Sequence, residues 1–222
     1  MSGSVAEGLA QVRARIAAAC ARAGRDPAGV ELVAVSKLQP EALIQEAHQA
    51  GQRTFGENYA QELRDKAQHL SALQGLRWHF IGPLQANKAK YVARSAHVFH
   101  AVDRPEIAAE LSRRRQGEPL EVLVQVWSGE QTKSGVSPEE APALVEQVRA
   151  LPGLRLTGLM AMPPLSEDPE RVRPHFRALR ALARKLGLAQ LSMGTTADFE
   201  VAIEEGATLV RVGTAIFGAR PG

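Results

Sequence analysis

Short apolar runs alternate with amphipathic segments along this 222-residue chain. The apolar runs are four to seven residues long and rich in Val, Leu, Ile and Phe, which is typical of strands buried on both faces. They predict strands at residues 32–36, 53–58, 78–81, 97–102, 120–126, 154–160, 190–193 and 208–212. Residues with helical spacing predict helices at residues 5–23, 40–50, 60–73, 87–94, 105–115, 172–185 and 199–205, and one more that opens with Ser137 as N-cap and Pro138 in its first turn.

Eight strand-and-helix units in a row indicate parallel strands joined by crossover helices. Eight units favour closure into a barrel, although an open doubly wound sheet has the same local pattern. No change in composition marks a linker. The sequence therefore predicts one domain over residues 1–222, a single (β/α)8 TIM-type barrel with an extra N-terminal helix.

Composition narrows the class of protein. Hydrophobic residues make up 45% of the chain and charged residues 23%, as in soluble globular proteins. No apolar run approaches the roughly 20 residues that a bilayer span needs, and the N-terminus lacks the basic start and apolar core of a leader. We therefore expect a cytoplasmic protein without membrane contacts, and a single Cys20 agrees with a reducing compartment.

The net charge is +3, but basic residues are interspersed with acidic ones. Residues 113–115 form the one tight run of arginines, and they close a predicted helix, where cations suit the carbonyl end of the helix dipole. A solvated helix terminus explains this run better than nucleic-acid binding does. A small anionic ligand remains compatible with the weak positive charge.

Lys37 follows the first predicted strand directly. Strands of a parallel α/β fold deliver their last residues to the face where ligands bind. One interpretation is an amine in a partly desolvated pocket, with a lowered pKa that lets it condense with an aldehyde. The other is an ordinary solvated lysine in a strand-to-helix loop.

Chemically coherent residues occur at the other predicted strand ends. Small residues and hydroxyls after strands seven and eight would suit a phosphate, which barrels of this class often bind between those two loops. The helix that starts near Asp198 would add its positive end. The residues at the strand ends are Lys37, Glu57, Asn58, His79, Asn87, Lys88, Lys133, Thr195, Thr196, Gly213 and Thr214.

Arg211 lies within an apolar strand, and a buried guanidinium needs a partner. It could pair with a carboxylate such as Glu57, or it could contact a ligand. A lysine able to form a Schiff base, a phosphate site across the same rim and an arginine between them together suit pyridoxal 5′-phosphate (PLP).

Seven segments in unbroken order give this chain a specific family resemblance. They are AVSK (34–37), FGENYAQE (55–62), WHFIGPLQANK (78–88), KSG (133–135), GLM (158–160), LSMG (191–194) and RVGTAIFG (211–218). The chain resembles the pyridoxal phosphate homeostasis protein family, also called the YggS or proline synthase co-transcribed family.

The resemblance implies the alanine racemase N-terminal barrel and PLP held as a Schiff base on Lys37. It places Asn58 near the pyridine ring, Arg211 at the ring nitrogen, and His79 and Met193 among the cofactor-binding residues. Around the phosphate it places Ser192, Thr196, Gly213 and Thr214. It also implies a role in vitamin B6 and amino-acid homeostasis without an established catalytic reaction, so that PLP-dependent apoenzymes are the expected recipients and a monomer is the expected state.

Two departures from the family pattern bear on the site. The family usually has Met-Ser-Asp where this chain has Thr195, Thr196 and Ala197. A hydroxyl survives at Thr196, so we expect the phosphate site to persist with an altered fit. The segment 126–129 lacks the usual asparagine and is about one residue shorter, which affects the loop before Lys133.

A cofactor carrier or buffer ranks above a racemase. Arg211 at the pyridine nitrogen would keep that atom unprotonated and weaken PLP as an electron sink. Related racemases use a tyrosine from a second domain, whereas the tyrosines here are Tyr59 and Tyr91 on early helices and the sequence stops four residues after Gly218. A weak amino-acid racemase and a barrel enzyme that forms a sugar Schiff base on Lys37 remain as alternatives.

Three histidines, His79, His97 and His100, fall on neighbouring predicted strands. They lack nearby carboxylate or cysteine residues at the spacing of metal ligands. We therefore interpret them as packed side chains and predict no metal site.

Overall fold

The computed structural model describes residues 4–127, 135–164 and 166–219, and the predicted loop residue Lys133 lies outside these ranges. Its strands form a closed parallel barrel in which each strand pairs with the next and β8 pairs with β1. Closure aligns Val33 with Arg211 and Ala34 with Val212. The strands are β1 (Glu31–Val35), β2 (Thr54–Glu57), β3 (Arg77–Phe80), β4 (Val98–Val102), β5 (Leu120–Gln125), β6 (Leu154–Met160), β7 (Gln190–Ser192) and β8 (Leu209–Val212). The predicted barrel is confirmed, and the open sheet is excluded.

Helices surround this barrel within the described ranges. They are α1 (Val5–Arg22), α2 (Glu41–Gln49), α3 (Ala60–His69), α4 (Ala89–Ser95), α5 (Pro105–Arg114), α6 (Ala141–Arg149), α7 (Arg173–Lys185), α8 (Phe199–Glu204) and α9 (Thr214–Phe217). Short 3-10 turns occur at Pro27–Gly29, Ala86–Lys88 and Pro169–Val172. No helix in the described part of the chain is both long enough and apolar enough to cross a membrane.

The boundaries of several helices differ from those that the sequence predicts. The prediction that Ser137 caps the sixth helix is wrong, since α6 begins at Ala141. Ser137 and Glu140 bond reciprocally through backbone N–H and side-chain oxygen, so the capping signal builds the turn before the helix. The short α9 follows β8 directly, and the apolar pattern did not predict it.

The N-terminal helix α1 packs beside the last two helices. Ser4 and Glu7 form a capping box at its start, and its apolar face of Leu9, Val12 and Ile16 is buried. Gly8 allows the close approach, because a Cβ there would lie 2.8 Å from the carbonyl oxygen of Ala215. The extra N-terminal helix predicted from sequence thus packs against α8 and α9, the last helices of the described chain.

Alternation along the strands assigns inner and outer faces near the carboxyl end of the barrel. A Cβ added to Gly56 would meet the side chains of Val33, Val35 and Ile81, so these positions share one face. The residues between them face the helices. Ser36, directly after β1, accordingly contacts side chains from β2 and α3.

Candidate functional site

Lys37 lies in a turn after β1 and is half-buried. Ser36 before it is fully buried, and Leu38 after it has a φ of +60°, a left-handed conformation that is uncommon for a branched side chain. The turn closes through a 3.0 Å bond from the Gln39 N–H to the Ser36 carbonyl oxygen. The structure therefore places the predicted amine at the rim of the barrel in a sharply defined loop.

Asn58 follows β2 at the same rim. Its Oδ1 is buried and has no hydrogen-bond partner. A Cβ on Gly82 would lie 2.4 Å from the carbonyl oxygen of Asn58, so this glycine lets the loop after β3 pass against the Asn58 backbone. A buried acceptor without a donor is costly, and a ligand that donates a hydrogen bond would satisfy it.

A chain of polar side chains crosses the barrel interior from β8 to β3. Nη1 of Arg211 donates to Oγ of Ser192 at 2.5 Å, and the same Oγ lies 2.7 Å from Nδ1 of His100. Nε2 of His100 lies 2.9 Å from Nδ1 of His79. Nη2 of Arg211 also donates to the carbonyl oxygen of Ala161 at 3.1 Å. Because β4 and β7 are not neighbours in the sheet, the contact between His100 and Ser192 must span the interior.

The direction of each hydrogen bond in this line of side chains can be assigned by starting from Arg211. A guanidinium only donates, so Ser192 accepts from Arg211. A hydroxyl can accept twice, but the one other side-chain contact of the Ser192 hydroxyl among the described residues is Nδ1 of His100, so we assign its proton to that bond. His100 then donates through Nε2–H to Nδ1 of His79, which leaves the proton of His79 on Nε2. That atom is buried and has no partner.

Both histidines are neutral in this arrangement. Burial lowers the pKa of His79 to about 3, with Arg77 and His97 contributing, and burial lowers the pKa of His100 well below its usual value. Burial also lowers the pKa of Arg211 to about 10, so the guanidinium stays charged at neutral pH. The interior therefore holds one cation on a line of neutral groups.

Arg211 does not pair with Glu57, although the sequence left that pairing open. Glu57 lies on the outer face of β2 and contacts Lys66 of α3 at 2.9 Å, whereas Arg211 points inward. The two residues are on opposite sides of the barrel wall. Arg211 is instead held by Ser192 and Ala161.

The loops after β7 and β8 contain the residues that the sequence predicts for the phosphate site. Met193 is buried, and Gly194 has a φ of +91°. The backbone N–H and the hydroxyl of Thr195 both donate to Oδ1 of Asp198, at 2.6 and 3.0 Å. Thr195 is thus committed to the turn before α8. Of the two threonines, Thr196 is the better candidate to donate to a phosphate.

The remaining residues of this predicted site lie at the end of β8. Gly213 is half-buried, and Thr214 is exposed at the start of α9. A Cβ on Gly213 would lie 3.2 Å from the carbonyl oxygen of Val35, so a side chain there would crowd the end of β1.

The structure thus joins Ser192 to Arg211 directly and links both to His79 through His100, which sequence reasoning treated as a packed side chain. His100 is the missed member, and the available signal was one polar residue inside the apolar strand 97–102. His97 belongs elsewhere, since it accepts from the Trp78 N–H at 3.0 Å. Among the described residues, no group of three or more histidine, cysteine or acidic residues could hold a metal ion.

Fold and site together define a barrel that presents an amine, a buried cation and a hydroxyl-lined loop pair at one mouth. The model of the alanine racemase N-terminal domain family matches residues 8–221. The pyridoxal phosphate homeostasis protein of Pseudomonas aeruginosa is 51% identical over 98% of this chain and 96% of its own length. The chain belongs to the pyridoxal phosphate homeostasis protein family.

Solved structures are similar to this chain in fold. PipY of Synechococcus elongatus PCC7942, solved with PLP bound, is 35% identical and superposes with a TM-score of 0.84 over 97% of this chain and 100% of its own. Alanine racemase from Corynebacterium glutamicum is 22% identical with a TM-score of 0.69, over 96% of this chain and 62% of its own. The racemase likeness supports the fold alone.

Proposed function

We propose that this protein binds PLP as a Schiff base on Lys37 and acts in vitamin B6 homeostasis as a reversible cofactor holder. The observation that carries the proposal is the coincidence of three features at one barrel mouth: a half-buried lysine after β1, an interior cation and two small-residue loops. A family relative named for PLP homeostasis and a structural relative with PLP bound support it.

The side chains present fit this cofactor. Lys37 would supply the amine that condenses with the aldehyde, with loss of water. Arg211 would face the pyridine nitrogen, and Ser192 holds its guanidinium in place. Asn58 and His79 each keep a buried polar atom without a partner, which bound cofactor could satisfy.

The anionic end of the cofactor would lie at the loops after β7 and β8. Thr196, Gly213 and Thr214 would line the phosphate together with backbone N–H groups, and buried Met193 would support the floor of the site. Thr195 is held by Asp198 and is not needed for this role.

A holding role suits these residues better than racemisation does. PLP supplies an electron sink when its ring nitrogen is protonated, and a guanidinium at that nitrogen works against protonation. Burial keeps both imidazoles neutral, and it leaves the pKa of Arg211 at about 10, high enough for the guanidinium to stay charged at neutral pH. We propose that the protein works as a monomer in the cytoplasm and releases PLP to dependent apoenzymes.

Reconstitution with PLP tests the proposal. Wild type should gain a visible absorbance band, and borohydride reduction should fix a phosphopyridoxyl mass on Lys37. Lys37→Ala should lose both, whereas the exposed Lys185→Ala should keep both. An unchanged spectrum of Lys37→Ala would refute the Schiff base. A sugar-sized adduct on protein purified from cells would favour the sugar enzyme instead.

A further inference from the structure

A buried ionic cluster lies directly behind the Lys37 turn, between the barrel wall and α3. Nζ of Lys66 donates to Oε1 of Glu57 at 2.9 Å and to Oε1 of Glu62 at 2.7 Å. Oγ of Ser36 donates to Oε1 of Glu57 at 2.6 Å. Glu57 is fully buried, and the Lys66 side chain is only 6% exposed. The cofactor site described above does not use these groups.

The cluster contacts both peptide groups that flank Lys37. On one side, Nζ of Lys66 donates to the carbonyl oxygen of Ser36 at 2.7 Å. On the other, the N–H of Leu38 donates to Oε1 of Glu62 at 2.7 Å. The Cα of Lys37 therefore sits between two backbone groups that are each fixed to α3.

The two backbone bonds on either side of Lys37 stabilise a strained conformation at Leu38. Leu38 adopts a φ of +60°, a left-handed conformation that is unfavourable for a residue other than glycine. A charge-assisted bond to the N–H of the same residue offsets that cost. Without the bond to Glu62, the peptide after Lys37 would be able to relax toward an ordinary conformation.

Opposite charges offset part of the cost of burying this cluster. One ammonium faces two carboxyl groups, and each carboxyl keeps one buried oxygen without a partner. Burial raises the pKa of Glu57 to about 7, against the opposing effect of Lys66. Such a group of polar residues is costly to maintain, and its contacts with the Lys37 turn give it a role beyond packing.

We propose that Lys66, Glu62 and Glu57 are positioning residues that fix the backbone of the cofactor-binding lysine, so that its amine meets the aldehyde in one geometry. The inference rests on the proposed function of Lys37. Because positional errors near 1 Å can change reaction rates by about 100-fold, loosening this turn should weaken and slow cofactor attachment even though no cofactor contact is removed.

Two variants of Glu62 separate positioning from general stability. Glu62→Gln keeps an oxygen that can accept from Leu38 and Lys66, whereas Glu62→Ala removes it. Hydrogen exchange of the Leu38 amide in the cofactor-free protein should be slow in wild type and Glu62→Gln and at least about tenfold faster in Glu62→Ala. This measurement does not depend on cofactor binding.

PLP titration then measures the consequence. Glu62→Ala and Lys66→Met should weaken binding and slow growth of the visible band by about tenfold or more, while Glu62→Gln stays near wild type. Arg173→Met is the matched control, since it removes a comparable ionic network between α7 and α8. It should leave both quantities unchanged.

The inference is overturned if Glu62→Ala binds PLP with wild-type affinity and rate, or if Arg173→Met loses as much as Glu62→Ala. Should Lys66→Met fail to fold, the two Glu62 variants still decide the question. The proposed function fails separately, if Lys37→Ala retains the absorbance band of the wild type.

Discussion

Two buried polar clusters lie on opposite sides of the barrel wall, and different interactions stabilise them. Inside, Arg211 is the one charged member of a line that continues through Ser192 and His100. Outside, Lys66 faces Glu57 and Glu62 as a compact group of charges. The interior cluster relies on directional hydrogen bonds, whereas the outer cluster relies on opposite charges.

This difference teaches which atoms each cluster can offer. The interior line ends in a single unpartnered donor at Nε2 of His79, so its free hydrogen-bonding capacity points to a ligand. The outer cluster also has unpartnered atoms, Oε2 of Glu57 and Oε2 of Glu62, but it bonds to the backbone on both sides of Lys37. One cluster is suited to contacting a cofactor, and the other to holding the residue that bonds to it.

The largest effect on stability is expected at Lys66. Lys66→Met leaves the fully buried Glu57 and the half-buried Glu62 without their cation, and removing one partner of a buried ion pair costs about 3–5 kcal/mol. Adding Glu57→Gln removes a stranded charge and should restore part of the loss. Urea unfolding of the single and double variants at pH 8 measures both changes.

Glu106→Gln, at an exposed site, provides the control for this cycle and should not rescue Lys66→Met. A double variant of Lys66 and Glu57 as unstable as Lys66→Met alone would show that the stranded carboxylate is not the source of the cost.

A smaller loss of stability is expected when the interior line of side chains is interrupted. His100→Leu leaves the hydroxyl proton of Ser192 and Nδ1 of His79 without partners, although Oγ of Ser192 still accepts from Arg211, and the loss costs about 1–3 kcal/mol of stability. In wild type, nitrogen NMR of the imidazoles should show the Nε2–H form for both His79 and His100. In His100→Leu, His79 loses its bond from His100 and should exchange between its two tautomers.

His97→Ala is the matched control, because His97 contacts the Trp78 backbone and not the line. A wild-type His79 that carries its proton on Nδ1 would contradict the direction of donation assigned from Arg211.

The fold and the positions of the site residues were predictable because they depend on local pattern and on one topological rule. Alternating strands and helices predicted the barrel, and the carboxyl ends of its strands located Lys37 and Asn58. The partners inside the barrel were harder to predict. His100 and Ser192 are 92 residues apart, and their contact depends on two non-adjacent strands facing one another across the closed interior.

The partner of Glu57, on the outer face of the barrel, was equally hard to predict from the sequence. Its sequence position is compatible with either face of the wall, and a shift of one residue in register would exchange those faces. The helix α3 then determines its partner, because Lys66 approaches from a segment whose amphipathic pattern alone gives no sign of a buried lysine. Sequence reasoning therefore found the residues of the mouth but missed those that support them.

The two clusters should also give opposite pH slopes of stability. The pKa of Glu57 rises from 4.5 to about 7 on folding, so its contribution is full below pH 4.5 and is lost as the pH rises toward 7. The pKa of His79 falls from 6.5 to about 3, so its contribution is full above pH 6.5 and is lost as the pH falls toward 3. Between pH 4.5 and 6.5 the two slopes oppose each other in wild type.

Single variants should unmask each slope in that window. Glu57→Gln should leave a free energy of unfolding that rises more steeply with pH than that of wild type, and His79→Leu should leave one that rises less or falls. Each slope changes by at most about 1.4 kcal/mol per pH unit, the value for one proton. Urea unfolding at half-unit pH steps measures it, with Glu106→Gln expected to follow wild type. Parallel curves for wild type, Glu57→Gln and His79→Leu would mean that neither cluster shifts its proton on folding, and the contrast between them would then rest on geometry alone.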